Sequence, residues 1–267
     1  MINYMPITPV GLLGTLDTME VRNAFMLTHL WEIKRYREFY QTHQFDTVIL
    51  DNDLYEKPTA ASFDHMLKIA SQIDAERIFV VGPECLTDGV KTGQMTLDLL
   101  TQYESEGYLT DNVQMMCILH ERPNEMLRQW NLIKHKEDVA VGISIFSYRL
   151  GYDRASLHKF LNLPRNRYTH AFGWDNLLEV YNMRGCFDSV DSSLAVSAAY
   201  NGVDLMKAWQ ITRDEKKDGR VIKDRLDLTW AGKPSVSLEL ATCKNIHFLR
   251  QFCRCEGPIY KQSELPV

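Results

Sequence analysis

Short apolar runs that end in polar residues recur along this chain, and amphipathic helical stretches separate them. Such runs predict strands at 4–10, 47–51, 78–83, 113–120, 139–144, 168–173 and 187–191. Helical spacing of apolar residues predicts helices over 18–42, 62–72, 93–106, 123–134, 156–161 and 174–183. The alternation of the two patterns indicates parallel strands joined by right-handed crossovers.

This order favours one (β/α)₈ barrel, a TIM barrel, formed by residues 1–267 as a single domain. The eighth strand is not evident, although the alternating segment 235–240 is a candidate. The charged segment 213–225 is predicted to be a loop or an exposed hairpin. No glycine-rich phosphate motif follows a predicted strand, which weakens a dinucleotide-binding fold. We therefore expect no organic cofactor.

Composition narrows the class of protein. Apolar residues make up 45% of the 267 positions and charged residues 24%, as in soluble globular proteins. The net charge of −5 excludes a uniformly basic nucleic-acid binder but not a local basic face. The sequence contains no membrane-spanning run and no signal peptide, so we expect a cytoplasmic protein with no membrane association. The six cysteines are then thiols or metal ligands rather than disulfides.

Polar residues at the carboxyl ends of barrel strands form active sites in this architecture. The predicted strands bring such residues to one mouth, namely Asp51, Glu84, His120, Ser144, His170 and Asp191. Asp51 and Asp191 each end an apolar run, and two such acids suggest covalent chemistry at a glycosidic carbon. Each could instead cap a turn or helix. Asp188 lies three residues before Asp191, on the other side of a strand, and we expect it to be structural.

Three segments in this order resemble the tRNA-guanine transglycosylase superfamily: 163–168 (LPRNRY), 173–179 (GWDNLLE) and 185–191 (GCFDSVD). Segment 50–56 (LDNDLYE) is similar to that family's Asp-Ser-Gly-Gly-Phe-Gln motif, in the form found in phage and bacterial 7-deazaguanine DNA transglycosylases. The likeness covers 47–202. It implies a TIM barrel that exchanges guanine in a nucleic acid for a 7-deazaguanine base such as preQ0, in a bacterial or phage-infected cell.

The resemblance assigns roles residue by residue. It makes Asp191 the nucleophile, Asp51 the general acid and base, and Tyr55 a ring that stacks on the base. Substrate contacts are assigned to Glu84, His120 and His170, although Glu84 could be simply solvated and His120 a satisfied strand-end histidine.

Departures from the family pattern favour DNA over tRNA as the substrate. The motif glycines are replaced by Asn52, Asp53 and Leu54, and the family's Pro-Thr-Arg run after the nucleophile is absent. The chain also leaves no room for an added RNA-binding domain. Rivals are the same exchange on tRNA, hydrolysis by the same fold, and a non-catalytic subunit that binds DNA or a partner. An oligomer is possible.

A cluster near the carboxyl terminus predicts a structural zinc site in segment 241–257, with the ligands Cys243, His247, Cys253 and Cys255. The spacing is not that of a standard zinc finger, and the alternative is buried thiols with a surface histidine. The family often carries a Cys₃His zinc, in a different residue order. For phosphate contact the candidates are Arg165, Arg167, Lys216 and Lys217, of which the lysines lie in a mixed-charge stretch typical of a solvated loop.

Overall fold

The computed structural model describes residues 2–106, 110, 112–120, 122–174, 176–209 and 227–254. Eight parallel strands form one sheet in the order β1-β8-β7-β6-β5-β4-β3-β2. Strands β1 and β2 also lie side by side, which nearly closes the sheet into a barrel. The strands are Asn3–Pro6 (β1), Asn23–Leu27 (β2), Gln44–Asp51 (β3), Asp74–Val81 (β4), Val113–Leu119 (β5), Ala140–Ser144 (β6), Thr169–Phe172 (β7) and Ser189–Ser192 (β8).

Helices follow the strands along the chain. They span Leu13–Thr18 (α1), Lys34–Thr42 (α2), Phe63–Ala70 (α3), Gly89–Glu106 (α4), Pro123–Ile133 (α5), Ile145–Arg149 (α6), Arg154–Phe160 (α7), Leu177–Met183 (α8), Leu194–Tyr200 (α9) and Val236–Arg254 (α10). Short 3₁₀ turns lie at Val10–Leu12 and Thr28–Leu30. The predicted (β/α)₈ architecture is therefore confirmed.

The eighth strand is β2, and it lies inside the segment 18–42 that was predicted to be helical. Its residues Ala24 to Leu27 are all buried, as expected of a parallel strand that is covered on both faces. The helical pattern belongs only to α2, further along the segment. The prediction failed because a short continuous apolar run has no period that separates strand from helix.

The candidate strand at 235–240 is wrong, since these residues lie at the start of α10. This 19-residue helix packs against α9 and β1. Its Asn245 side chain donates to the carbonyls of Ala195 and Val203 and accepts from the backbone of Leu205, so polar bonds as well as apolar packing hold α10 to the barrel. Among the described helices, none is long and apolar enough to cross a bilayer.

Candidate active site

The two aspartates lie at the same end of the barrel. Asp51 is the last residue of β3 and pairs in register with Leu27 of β2. Asp191 is the third residue of β8 and pairs with Met5 of β1. Because all strands are parallel, both carboxylates reach the carboxyl-terminal mouth, where active sites of this architecture form.

One oxygen of Asp191 is held by two donors. Its Oδ1 accepts a 2.8 Å hydrogen bond from the backbone N–H of Gly173 and lies 2.8 Å from Nε2 of His170. Among the described residues, nothing donates to its other oxygen. The carboxylate is therefore oriented through one oxygen, and the second has no donor among the described residues.

The His170 ring is fully buried beside Asp191 instead of forming a pocket wall. Its Nδ1 lies 2.7 Å from Oγ of Ser189, which also accepts a 2.7 Å bond from the Tyr168 hydroxyl. Burial lowers the pKa of His170, and the neighbouring Asp191 only partly opposes that shift. Both ring nitrogens of His170 thus already have protein partners, an arrangement that does not favour the predicted substrate contact at a pocket wall.

Asp51 has the electrostatics of a proton carrier. Burial raises its pKa well above the ordinary value, and the negative charges of Glu56, Glu84, Asp53 and Asp191 raise it further. The charge of Asp191 makes the smallest of these contributions, which is consistent with two carboxyl groups within the range of Coulomb interaction. Its surroundings therefore favour the protonated form more than those of an ordinary solvated aspartate do.

The loop after β3 contains a non-glycine residue in the left-handed backbone conformation. Asp53 adopts a φ of 61°, a left-handed conformation that Asp and Asn tolerate better than most residues. Its carboxylate binds His29, accepting from the backbone N–H and lying 2.9 Å from Nδ1. His29 was missed by sequence reasoning because it follows β2, the strand that was not recognised.

Glu84 is a second acid with a perturbed proton affinity. Burial raises its pKa to about 7, against the opposing hydrogen bond from Asn52. Oε1 accepts the 2.8 Å bond from the Asn52 amide, whereas the buried Oε2 has no hydrogen-bond partner among the described residues. Glu84 therefore offers an unsatisfied oxygen to a bound molecule.

An open cavity of about 470 Å³ lies at the mouth, lined by Tyr55, Leu86, His120, Arg122, Phe146 and Leu150. The Tyr55 ring stacks on that of Phe146, with centroids 5.0 Å apart, and its hydroxyl lies 3.3 Å from Oγ of Ser144. Tyr55 is 41% exposed and Phe146 is 37% exposed, so the pair presents aromatic surface to the cavity. Such surface suits a planar ring system.

His120 borders this cavity, but its Nε2 lies 3.1 Å from Oγ1 of Thr92. Burial lowers its pKa to about 4, so the ring is neutral at physiological pH. The backbone of Leu86 also forms a hydrogen bond that partly opposes this shift. His120 is thus a largely satisfied strand-end histidine, the alternative that its position left open.

A buried arginine supports the end of β7. Arg154 is fully buried; it donates 2.7 Å bonds to the carbonyls of Phe172 and Gly173 and a 2.5 Å bond to Glu179. Gly173 is the residue whose N–H binds Asp191. Sequence reasoning missed Arg154, because nothing in its local pattern distinguishes it from a surface helix arginine.

The predicted zinc ligands do not converge in the described part of the chain. Cys243, His247 and Cys253 lie on the single helix α10, and Cys255 falls outside the described residues. Ten helical residues place Cys253 about 15 Å along the axis from Cys243, whereas two thiolates on one tetrahedral zinc lie about 4 Å apart. Cys253 is buried and His247 is exposed, so these residues do not fit one zinc ion.

Three carboxylates could hold a cation of another kind. Oxygen atoms of Asp51, Asp53 and Glu56 lie within 4.8 Å of one another, the one such group found in the described residues. Oxygen ligands of this type suit Mg²⁺ or Ca²⁺ rather than zinc. The same proximity explains why Glu56 and Asp53 raise the pKa of Asp51.

The two described arginines that were predicted to contact phosphate are not at the mouth. Arg167 lies before β7, at the opposite end of the parallel barrel; it donates to the carbonyl of Lys134 and stacks over Trp130. Arg165 precedes the same end of β7 and is exposed. Neither arginine therefore lies beside Asp51 and Asp191 at the carboxyl-terminal mouth. Lys216 and Lys217 fall outside the described residues.

The mouth thus combines an anchored aspartate, a second aspartate with a raised pKa, and an aromatic surface beside a cavity. Acids in such different environments can take different roles in one reaction. No protein-family model matches the chain, and no curated protein sequence matches it.

Proposed function

We propose that this protein is a transglycosylase that exchanges guanine in DNA for a 7-deazaguanine base, through a covalent glycosyl-aspartate intermediate. The observation that carries the proposal is the contrast between the two mouth aspartates. Asp191 is oriented by two hydrogen bonds on one oxygen, whereas burial and neighbouring acids raise the pKa of Asp51. A nucleophile and a proton donor need this difference.

In the first half-reaction, the free oxygen of Asp191 attacks C1′ of the target nucleotide. The bond between C1′ and the base breaks, and its electron pair leaves with guanine, which takes the proton from Asp51. This produces a glycosyl ester on Asp191 and a carboxylate on Asp51. The nucleotide has to leave the base stack to reach the mouth, at a cost of about a few kcal/mol.

In the second half-reaction, the incoming 7-deazaguanine gives its ring N–H proton to the Asp51 carboxylate and attacks C1′. The ester bond to Asp191 breaks, and the carboxylate is restored. Two displacements at C1′ retain its configuration, as in retaining glycosidases. The proton that Asp51 takes up in the second half-reaction is the one that it donates in the first half-reaction of the next cycle. The cycle therefore needs no external acid.

Residues around the cavity would hold the base. The Tyr55–Phe146 pair supplies a stacking surface, which is tolerant of base identity. The unsatisfied Oε2 of Glu84 supplies an acceptor, or a donor when protonated, for the polar edge of a guanine-like ring. The neutral His120 ring contributes apolar surface rather than charge.

The proposal is tested by trapping the ester. Protein would be incubated with guanine-containing DNA, denatured and run on a denaturing gel, with a labelled strand to reveal a covalent adduct. We expect an adduct with the native chain, none with Asp191→Asn, and a slower-forming one with Asp51→Asn. Asp46→Asn, at an exposed site in an ion pair with Arg22, is the matched control and should behave as the native chain.

Exchange of labelled guanine on DNA and on tRNA, run in parallel, identifies the nucleic acid. Exchange on tRNA alone would replace DNA with tRNA in the proposal. Release of base without an acceptor would indicate hydrolysis instead. Absence of both adduct and exchange on either polymer, with a folded protein, would overturn the proposal in favour of a binding subunit.

A further inference from the structure

A hydrogen-bonded series of four side chains ends on Asp191. The Tyr168 hydroxyl donates to Oγ of Ser189 at 2.7 Å, Ser189 lies 2.7 Å from Nδ1 of His170, and Nε2 of His170 lies 2.8 Å from Oδ1 of Asp191. The series depends on strand register, because His170 of β7 pairs directly with Ser189 of β8. Ser189, His170 and Asp191 are therefore positioned by the strands of the barrel, and Tyr168 immediately precedes β7.

The hydrogen atoms available on each group determine which group donates in each bond of the series. A hydroxyl group has one hydrogen to donate. Ser189 accepts from Tyr168, so its own hydrogen is free to bond Nδ1 of His170. The Asp191 carboxylate can only accept, so Nε2 must carry the ring hydrogen; in a neutral ring Nδ1 is then the acceptor, and Ser189 donates its hydrogen to it.

From this geometry we infer that His170 is a positioning residue, held by Ser189 and Tyr168 as the neutral Nε2–H tautomer, and that it aims the Asp191 carboxylate at the mouth. Neutral His170 and the N–H of Gly173 donate to the same oxygen, which restricts a carboxylate torsion that is otherwise broad. The other oxygen is thereby held toward the substrate. The importance of this orientation for turnover rests on the proposed function, whereas the tautomer of His170 is independent of that function.

The surroundings of the ring preserve this state. Phe25 stacks on His170 with centroids 5.8 Å apart, and Phe172 meets it edge-on at 4.5 Å. Apolar neighbours exclude water and disfavour an imidazolium, in agreement with the lowered pKa of His170. Burial likewise raises the pKa of Tyr168, so the hydroxyl that begins the series keeps its proton. Asp188 and Arg154 act on the ring with opposite signs from further away.

A neutral donor suits a nucleophile better than a cation would. Hydrogen bonds from charged donors are roughly twice as strong as neutral ones and withdraw more electron density from the acceptor. An imidazolium at 2.8 Å would tie up the negative charge that Asp191 has to use in attack. Fixing the neutral tautomer orients the carboxylate and leaves that charge available.

The tautomer is tested by ¹⁵N NMR of histidine-labelled protein at pH 6 to 8. His170→Gln identifies the His170 signals among those of the eight histidines. We expect Nε2 protonated and Nδ1 unprotonated across this range in the native chain, and mixed tautomers in Ser189→Ala. A ring with hydrogen on Nδ1, or an imidazolium at pH 7, would overturn the inference. This readout needs no turnover, so it is independent of the proposed function.

The positioning role is tested by the rate of adduct formation on DNA. His170→Leu removes the donor and should slow the rate about 100-fold without changing DNA affinity, since the ring does not face the cavity. His170→Gln places an amide N–H near the Nε2 position and should recover about 10-fold of that loss. Equal rates for the native chain and the Leu variant, or no recovery with Gln in a folded variant, would refute the positioning role.

The two experiments distinguish failure of the proposed function from failure of the tautomer assignment. The expected tautomer without any adduct would remove the proposed function and retain the hydrogen-bond assignment. An adduct together with the wrong tautomer would do the reverse. If His170→Leu does not fold, Tyr168→Phe replaces it, because this variant deletes only the hydroxyl that begins the series. Mixed His170 tautomers in the ¹⁵N spectrum of Tyr168→Phe would support the inference. An unchanged tautomer would contradict it.

Discussion

The side-chain amide of Asn52 donates a 2.8 Å hydrogen bond to Oε1 of Glu84. This bond joins the loop after β3 to the loop after β4, and a second bond from the same amide, to the carbonyl of Gly82, strengthens the junction. The bond from Asn52 lowers the pKa of Glu84, but burial has the larger effect and raises that pKa to about 7. The mouth therefore holds an acid whose charge changes near physiological pH.

Glu84→Gln should make the protein more stable at pH 8 and change little at pH 4. The folded-state pKa of about 7 lies above the ordinary 4.5, so the stability contributed by the neutral acid is present below about pH 4.5 and lost as the pH rises through 7. We expect a gain of about 3 kcal/mol at pH 8, measured by urea unfolding. Glu76→Gln, at an exposed site on β4, the strand that precedes Glu84, is the control. Equal effects at both pH values would contradict the prediction.

Arg154→Ala should destabilise the fold severely. The change leaves the Glu179 charge buried without this partner and removes the donor to the carbonyls of Phe172 and Gly173. Breaking a buried pair in this way costs about 3–5 kcal/mol. Arg128→Ala, in the exposed pair with Glu125, should cost less than about 1 kcal/mol. Chemical unfolding of both variants checks the comparison, and similar losses would refute it.

Gly142→Ala should also be destabilising, because a methyl group there would meet the Phe172 ring at 2.1 Å. Phe172 packs against His170, so the ring cannot retreat without disturbing the histidine. Overpacking of this kind costs about 1–3 kcal/mol. Gly14→Ala, in α1 with nothing within 4 Å, should instead stabilise by about 0.5–1 kcal/mol. Thermal unfolding of the two variants should give shifts of opposite sign.

Tyr55→Ala should weaken binding of a 7-deazaguanine base about 10-fold, since stacking on an aromatic ring contributes about 1–3 kcal/mol per base. Tyr55→Phe should bind within about 3-fold of the native chain, because the lost hydroxyl makes only a 3.3 Å contact with Ser144. Tyr200→Ala, at a 67% exposed site on α9, is the control. Calorimetric titration measures the affinities, and a larger loss with Phe than with Ala would exclude stacking.

The local pattern of apolar and polar residues was sufficient to predict most strands of the barrel. The strands that carry Asp51, Ser144 and Asp191 at or near their carboxyl ends follow from apolar runs closed by polar residues, which is the composition of a buried parallel strand. Strand β2 does not follow, because Asn-Ala-Phe-Met-Leu is equally compatible with a helix turn. Only pairing of β2 with β3 makes this segment a strand.

The sequence by itself determined which acids reach the carboxyl ends of their strands, since strand ends are encoded by neighbouring residues. It did not determine that His170 binds Asp191 rather than the cavity, because that depends on the register between β7 and β8. Nor did it separate Cys243 from Cys253, which one uninterrupted helix keeps apart. Side-chain partners such as these are set by distances between segments remote in sequence, and only the folded barrel defines those distances.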